Sequence, residues 1–386
     1  MTNKNHQLTQ NPANFVPLTP LSFLHRTADI YPQRESLIYN DLRYTWSQTR
    51  NRCTRIASSL AARGIGKNDT VSVFAFNTPE MFECHFSIPM AGAILNTINT
   101  RIDAQSVAYI IDHSESKAII VDRQLWPILK EALNSCKLQP EIIIIDDAAA
   151  TEKPALPSDI KFTFYQELLD QGDDNFAWLA PENEWQSLSL NYTSGTTGLP
   201  KGVVYHHRGA YLMGMGTAMS WALPSHPRYL YTVPMFHCNG WGHVWTMTAA
   251  AATIICIRAL TPSSIFELIE QHQVTHFGCA PIVLSMLANA PASEQIKFDR
   301  IIHVITAGSP PPASVLESMN QFGFDIMHVY GLTETSGHIL QAAPQEDWKE
   351  QSSQKQAELK SRQGVRFAMT EKVNVKIGRA SCRERV

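Results

Sequence analysis

Long apolar runs, paired cysteines and a strong charge of either sign are all missing from this chain. The longest apolar run, Val244 to Ile257, contains threonines and is closely followed by Arg258. It falls short of the roughly 20 residues that a membrane-spanning helix needs, so it reads as a buried helix and strand. The N-terminus, Met1-Thr-Asn-Lys-Asn-His-Gln7, has no apolar core of a signal peptide. Seven cysteines are scattered with no CxxC pair. That excludes a disulfide framework or zinc site and predicts reduced thiols in a cytoplasmic protein. Charged residues make up 17% and the net charge is −3, so nothing favours nucleic acid or an anionic membrane. No stretch repeats at a period of 20–50 residues. A Walker A sequence, which needs G-x-x-x-x-G-K-[ST] opening a helix, is absent too.

What is present is a chain of 386 residues, 44% of them apolar, enough for a sizeable core and two or more subdomains. Short apolar strands alternate with helices. Leu21–Ala28 has helical spacing, and Ser36–Tyr39 with Arg43–Trp46 reads as a hairpin through Asn40-Asp41. Ser47 is placed to cap a helix that Gly64 ends. Strands are predicted at Val71–Phe76, Ala91–Asn96, Ala118–Val121 and Glu141–Ile145, with helices at Thr78–Ile88, Ser106–His113 and Gln124–Ala132 between them. Residues 147–182 are richer in Pro, Asp, Ala and Glu and read as a connector. A second alternation runs from Ala252 to Tyr330, and residues 344–363 read as an exposed helix. This is the pattern of an α/β protein with parallel sheets.

The stretch on which the chain turns is Thr193-Ser-Gly-Thr-Thr-Gly-Leu-Pro-Lys-Gly202, between the apolar runs Leu188–Tyr192 and Val203–Tyr205. Glycines let backbone N–H groups approach an anion, hydroxyls add donors, and Lys201 adds a compact charge suited to phosphate. Four hydroxyls, three glycines, a proline and a lysine exceed what a hairpin turn requires. Three further motifs follow predicted strands, where ligands of α/β sheets gather. Tyr330-Gly-Leu-Thr-Glu334 offers an aromatic, a glycine, a hydroxyl and a carboxylate, although Thr333 also reads as a plain helix cap. Ala307-Gly-Ser-Pro-Pro311 reads equally as a strand-to-helix turn. Pro234-Met-Phe-His-Cys-Asn-Gly-Trp241 sets His237 and Trp241 four apart. The pair His206-His207 is expected to bind no metal, because neighbours in a strand point to opposite faces.

Together these motifs resemble the adenylate-forming superfamily of acyl-CoA synthetases, luciferases and peptide-synthetase adenylation domains. The wording, including Asn191-Tyr-Thr193 and His206-His-Arg-Gly-Ala-Tyr211, is most similar to short- and medium-chain acyl-CoA synthetases. The resemblance runs from about Leu18 to Val375 and implies the large N-terminal domain of that fold, two stacked α/β subdomains in layered αβαβα order. It divides the chain into a loose arm (1–18), a first subdomain with connector (19–182), and a second subdomain with the ATP and acyl site (183–375). It implies that Thr193, Ser194, Gly195, Thr196, Thr197, Gly198 and Lys201 hold the β- and γ-phosphates of ATP. Gly308, Ser309, Pro310, Tyr330 and Gly331 would border the adenine. Thr333 would contact the α-phosphate and Glu334 would ligate Mg²⁺. His237 would lie beside the carboxylate and α-phosphate, and Trp241 would wall or gate the acid pocket. The substrates implied are a carboxylic acid, ATP and CoA, without nucleic acid, and with a homodimer left open.

The chain departs from the resembled pattern at its end. An aspartate for the ribose, a hinge and a small C-terminal domain with a lysine needed for adenylation would follow, and they are missing here. The expectation is therefore an inactive fragment. Residues 377–386, Ile-Gly-Arg-Ala-Ser-Cys-Arg-Glu-Arg-Val, resemble the translation of a sequencing-adapter read-through and are set aside as non-native. Two alternatives stay open: an adenylation domain that loads a carrier protein, and a catalytically silent nucleotide- or acyl-binding protein.

Overall fold

In the computed structural model, residues 9–193 and 198–374 are described. The chain forms two compact units that exchange segments. One holds the chain up to Gln33, Thr45–Phe76 and Glu80–Gly214. The other holds Arg34–Tyr44, Asn77–Pro79 and the chain from Met215 onward.

The first unit is built on a seven-stranded sheet among the described residues. In spatial order its strands are Thr163–Phe164, Glu141–Ile145, Ser116–Asp122, Thr70–Phe74, Ile94–Thr97, Ser187–Thr193 and Lys201–His206. All neighbours pair in parallel except the last two, which form an antiparallel hairpin. Thr70–Phe74 is buried at every residue, as a parallel strand covered on both faces must be. A core of Phe74, Val107, Ile111, Ile119, Trp126 and Ile144 lies between sheet and helices.

Among the described residues the second unit carries nine strands in the order Val365–Arg366, Gly337–Gln341, Phe324–Leu332, Ile302–Thr306, His276–Cys279, Arg228–Tyr231, Thr253–Cys256, Glu35–Tyr39 and Leu42–Thr45. Glu35–Tyr39 joins it through parallel pairs such as Leu37 with Ile254. The strands Gly337–Gln341 and Val365–Arg366 run antiparallel at the edge.

Most of the alternation lies where the residue pattern puts it, with local differences. The helix expected to be capped by Ser47 starts at Trp46, because Thr45 and Gln48 form a reciprocal capping box. Residues 147–182 contain an edge strand, Thr163–Phe164, and a helix, Tyr165–Gln171. A two-residue strand is too short to leave a periodic signal. The exposed helix expected over 344–363 is a 3₁₀ turn, Glu346–Glu350, and a separate helix, Ser353–Lys360, whose N-cap Ser352 accepts from the Lys355 amide.

Candidate active site

In the first unit the glycine- and hydroxyl-rich stretch closes the antiparallel hairpin. Thr193 pairs with Lys201 and Tyr192 with Gly202. A side chain at Gly202 would be crowded, since a Cβ would lie 3.0 Å from Leu190 Cδ1 and 3.4 Å from the Tyr192 ring. Lys201 stands exposed at the start of the returning strand, and Gly198 takes φ 126°, which favours glycine. Ser194, Gly195, Thr196 and Thr197 lie outside the described residues. The hairpin is braced by Tyr192 Oη, 2.7 Å from His113 Nδ1. His113 also lines a cavity of about 930 Å³ with Tyr109, Lys117 and Leu138, which holds none of the residues singled out above.

His206 ends this hairpin and His207 opens the following helix, so the two do not share a strand. His206 Nδ1 accepts from the Gly209 amide at 2.8 Å. His207 is buried with Nδ1 2.9 Å from Thr19 Oγ1, and burial pushes it down to about 4.

In the second unit the segment after the strand Arg228–Tyr231 is held by a buried asparagine. Asn77 Nδ2 donates to the carbonyls of Tyr231 (2.9 Å) and Val233 (2.8 Å), and its Oδ1 accepts from the Met235 amide at 2.8 Å. The chain then enters a left-handed turn. Cys238, Asn239, Gly240, Trp241 and Gly242 take φ of 49°, 51°, 59°, 59° and 71°. Each L-residue in this region costs about 1–2 kcal/mol, so a run with three non-glycine members must be held by its surroundings. Tyr231 Oη donates to the Gly240 carbonyl at 3.0 Å, and the Trp241 amide donates to the His237 carbonyl at 3.3 Å. Gly240 is obligatory here, because a Cβ would lie 2.0 Å from Tyr231 Oη. The turn leaves His237 exposed at one end and half-buries Trp241 at the other. Surrounding protein nonetheless desolvates His237 and lowers its pKa.

The strand Phe324–Leu332 runs into Tyr330-Gly-Leu and does not stop before it. A bulge between Tyr330 and Gly331 lets Gly331 meet the antiparallel neighbour, where a Cβ would lie 2.1 Å from the Gly337 carbonyl oxygen. Thr333 and Glu334 then form a single 3₁₀ turn with Thr335, whose hydroxyl donates to the Gly337 carbonyl at 2.7 Å. Thr333 is buried and Glu334 exposed. Cys238 Sγ lies 3.0 Å from Thr333 Oγ1, so the His237 turn and the Tyr330–Glu334 segment meet. Gly308 (φ 96°), Ser309 and Pro310 form an exposed turn after Ile302–Thr306.

Sequence reading passed over two residues that shape this place, Asn77 and His243. Asn77 sits at a strand end before Thr78-Pro79, which reads as a helix start. His243 directly precedes the apolar run Val244–Ile257 and reads as core. An amide or imidazole in such apolar surroundings is the only signal that could have found them.

A divalent cation fits the donor set in one way. Mg²⁺ keeps several waters and takes one or two carboxylates plus substrate phosphates. A single exposed carboxylate, Glu334, beside the Thr333 hydroxyl suits that arrangement. No group of three or more His, Cys, Asp or Glu that could cage a metal occurs among the described residues.

The model of a family described as "AMP-binding enzyme" matches residues 24–364. The 2-methylpropanoate–CoA ligase CCL4 of Humulus lupulus is 43% identical over 371 residues, covering 95% of this chain and 66% of that protein. The peroxisomal acetate/butyrate–CoA ligase AAE7 of Arabidopsis thaliana is 42% identical over 377 residues, with the same coverage of 95% and 66%. The chain thus spans just under two thirds of the length of these relatives. Among solved structures, the N-terminal domain of FACL13 from Mycobacterium tuberculosis superposes with a TM-score of 0.71 at 24% identity, covering 84% of this chain and 78% of that one. That likeness concerns the fold: mixed α/β with two mainly parallel sheets.

Proposed function

The chain belongs to the AMP-binding enzyme family, and on that premise we propose that the protein activates a short- or medium-chain carboxylic acid. A carboxylate oxygen attacks the α-phosphorus of ATP and pyrophosphate leaves, giving an acyl-adenylate. The thiol of CoA then attacks the acyl carbonyl and AMP leaves, giving a thioester. Both relatives are CoA ligases by name, which favours CoA over a carrier protein as the thiol.

The roles follow from charge. Carboxylate and triphosphate repel each other, so Lys201 offsets that charge, and a Mg²⁺ held by Glu334 would add to it. Thr193, Gly198 and the intervening Ser194–Thr197 supply donors to the β- and γ-phosphates. Gly308, Ser309, Pro310, Tyr330 and Gly331 border the adenine, Thr333 contacts the α-phosphate, and Glu334 holds Mg²⁺. His237 orients the acid carboxylate and does not transfer a proton, and Trp241 walls the acyl end. The observation that carries this reading is the 3.0 Å approach of Cys238 Sγ to Thr333 Oγ1, which joins the acid-side turn to the nucleotide-side segment at one strand end.

The test is pyrophosphate release by the whole protein across straight-chain acids from acetate to palmitate. We expect release with the shorter members, and its absence with every acid would refute the reading. By the family resemblance, a lysine needed for adenylation lies beyond the stretch matched here. These 386 residues alone are therefore proposed to bind nucleotide with little thioester formation. Turnover by them at roughly 1–10³ s⁻¹ would contradict that part.

A further inference from the structure

Cys238 opens the left-handed turn with φ 49°, a strained backbone of the kind that persists at functional sites. Its sulfur does not stand alone. Sγ lies 3.9 Å from His237 Nε2 and 3.0 Å from Thr333 Oγ1. A thiol with a base in reach is an activated nucleophile, and such contacts are often loose before a substrate is bound. Cys238 keeps 9% of its surface open and His237 beside it is exposed, so the pair reaches the protein surface. Cys53, Cys84 and Cys279 differ: each is enclosed, and burial pushes its thiol up and keeps it inert.

The two contacts fall on either side of one linkage. In the reading above, His237 orients the acid carboxylate and Thr333 contacts the α-phosphate. An acyl-adenylate joins those two groups through a single bridging oxygen, so a sulfur that touches both residues faces the acyl carbon. Adenylation gives His237 no proton to move, because the acid enters as a carboxylate. A thiol nucleophile does give it one. Desolvation lowers the pKa of His237, so its imidazole is neutral at about pH 7 and able to accept that proton.

We infer that Cys238 is a second acyl acceptor of this site, acylated by a bound acyl-adenylate with His237 as its base. The bond from Sγ to the acyl carbon forms as the bond from that carbon to the bridging oxygen breaks. AMP leaves with the electron pair, the thiol proton passes to His237 Nε2, and nothing is oxidised or reduced. The product is a thioester on the protein, which keeps the acyl group activated when no CoA is bound. The inference rests on the acid-activating reading above.

The experiment adds butyryl-AMP to the 386-residue chain and locates the acyl group by intact mass and peptide mapping. Titration calorimetry with butyryl-sulfamoyladenosine, which cannot transfer its acyl group, reports binding in parallel. We expect one butyryl group on Cys238, labile to hydroxylamine and blocked by an excess of the sulfamoyl compound. It should form at least about tenfold faster than on the half-buried Cys136, since only the bound reagent is held in place. His237→Gln should slow the acylation by about 10²-fold at about pH 7. Most of that loss should return at about pH 9, where the thiol ionises without a base, and a merely structural defect would not recover. Cys238→Ala should remove the label, and the His237→Gln pH profile carries the test if that variant does not fold. Binding of the sulfamoyl compound without acylation of Cys238, or equal acylation of Cys136 and Cys238, would overturn the inference while sparing the acid-activating reading. Binding of neither compound would overturn both.

Discussion

A lysine at the mouth of a hairpin carries most of the charge balance in this account. Lys201 is exposed and lies across from Thr193 in register. Its replacement by alanine in the whole protein should cost on the order of 2–4 kcal/mol in the transition state, or about 30- to 1000-fold in pyrophosphate formation. Acid binding should change by less than about twofold. Equal losses in both would move Lys201 from the phosphates to the acid. Trp241, half-buried at the far end of the turn, tests the other substrate. If Trp241 walls the acyl end as proposed, Trp241→Ala should make the preferred acid longer, and an unchanged chain-length profile would place the wall elsewhere. Lys201 and Trp241 stand out in the sequence because their types are unusual at those places. Asn77 and His243 did not, since an asparagine at a strand end and a histidine beside an apolar run each have an ordinary reading.

At the scale of elements, the alternation of strands and helices could be read from period and turn residues, but handedness could not. Nothing in His-Cys-Asn-Gly-Trp-Gly announces five consecutive positive φ values, although its two glycines permit them. The turn exists because Asn77 fixes its entry and Tyr231 holds its middle. Gly240→Ala brings both left-handed strain and a clash with Tyr231 Oη. It should destabilise the protein by roughly 2–4 kcal/mol, read as a lowered denaturant midpoint. Combining it with Tyr231→Phe should recover part of that loss by removing the atom in the way. No loss on Gly240→Ala alone would show that the turn tolerates a Cβ. The strand Phe324–Leu332 offers a similar lesson. Its continuation through Tyr330-Gly-Leu depends on a cross-strand bulge that no local pattern reveals.

At the scale of the molecule, the parallel α/β character was legible, while the pairing of Glu35–Tyr39 with Thr253–Cys256, more than 200 residues away, was not. Local periodicity carries no information about such a partner. Among the described residues the second unit also buries five histidines whose pKa values desolvation lowers: His272 and His328, His276 and His338 to about 4, and His243 to about 3. Each has a folded value below its unfolded value near 6.5, so the unfolded state binds more protons as pH falls. Stability should be fully present above about pH 6.5 and decline towards pH 4, by at most roughly 1.4 kcal/mol per pH unit for each histidine. Denaturant midpoints from pH 7.5 to 5 check this, and a flat profile would contradict it.

The central claim is that one site accepts a nucleotide and an acyl group joined as an adenylate. Titration of the 386-residue chain with AMP and with a butyryl-sulfamoyladenosine tests it most directly. One-to-one binding of both is expected, with the acyl compound at least about 10²-fold tighter, as intermediate mimics bind. Binding of neither, or equal affinity for the two, would contradict it.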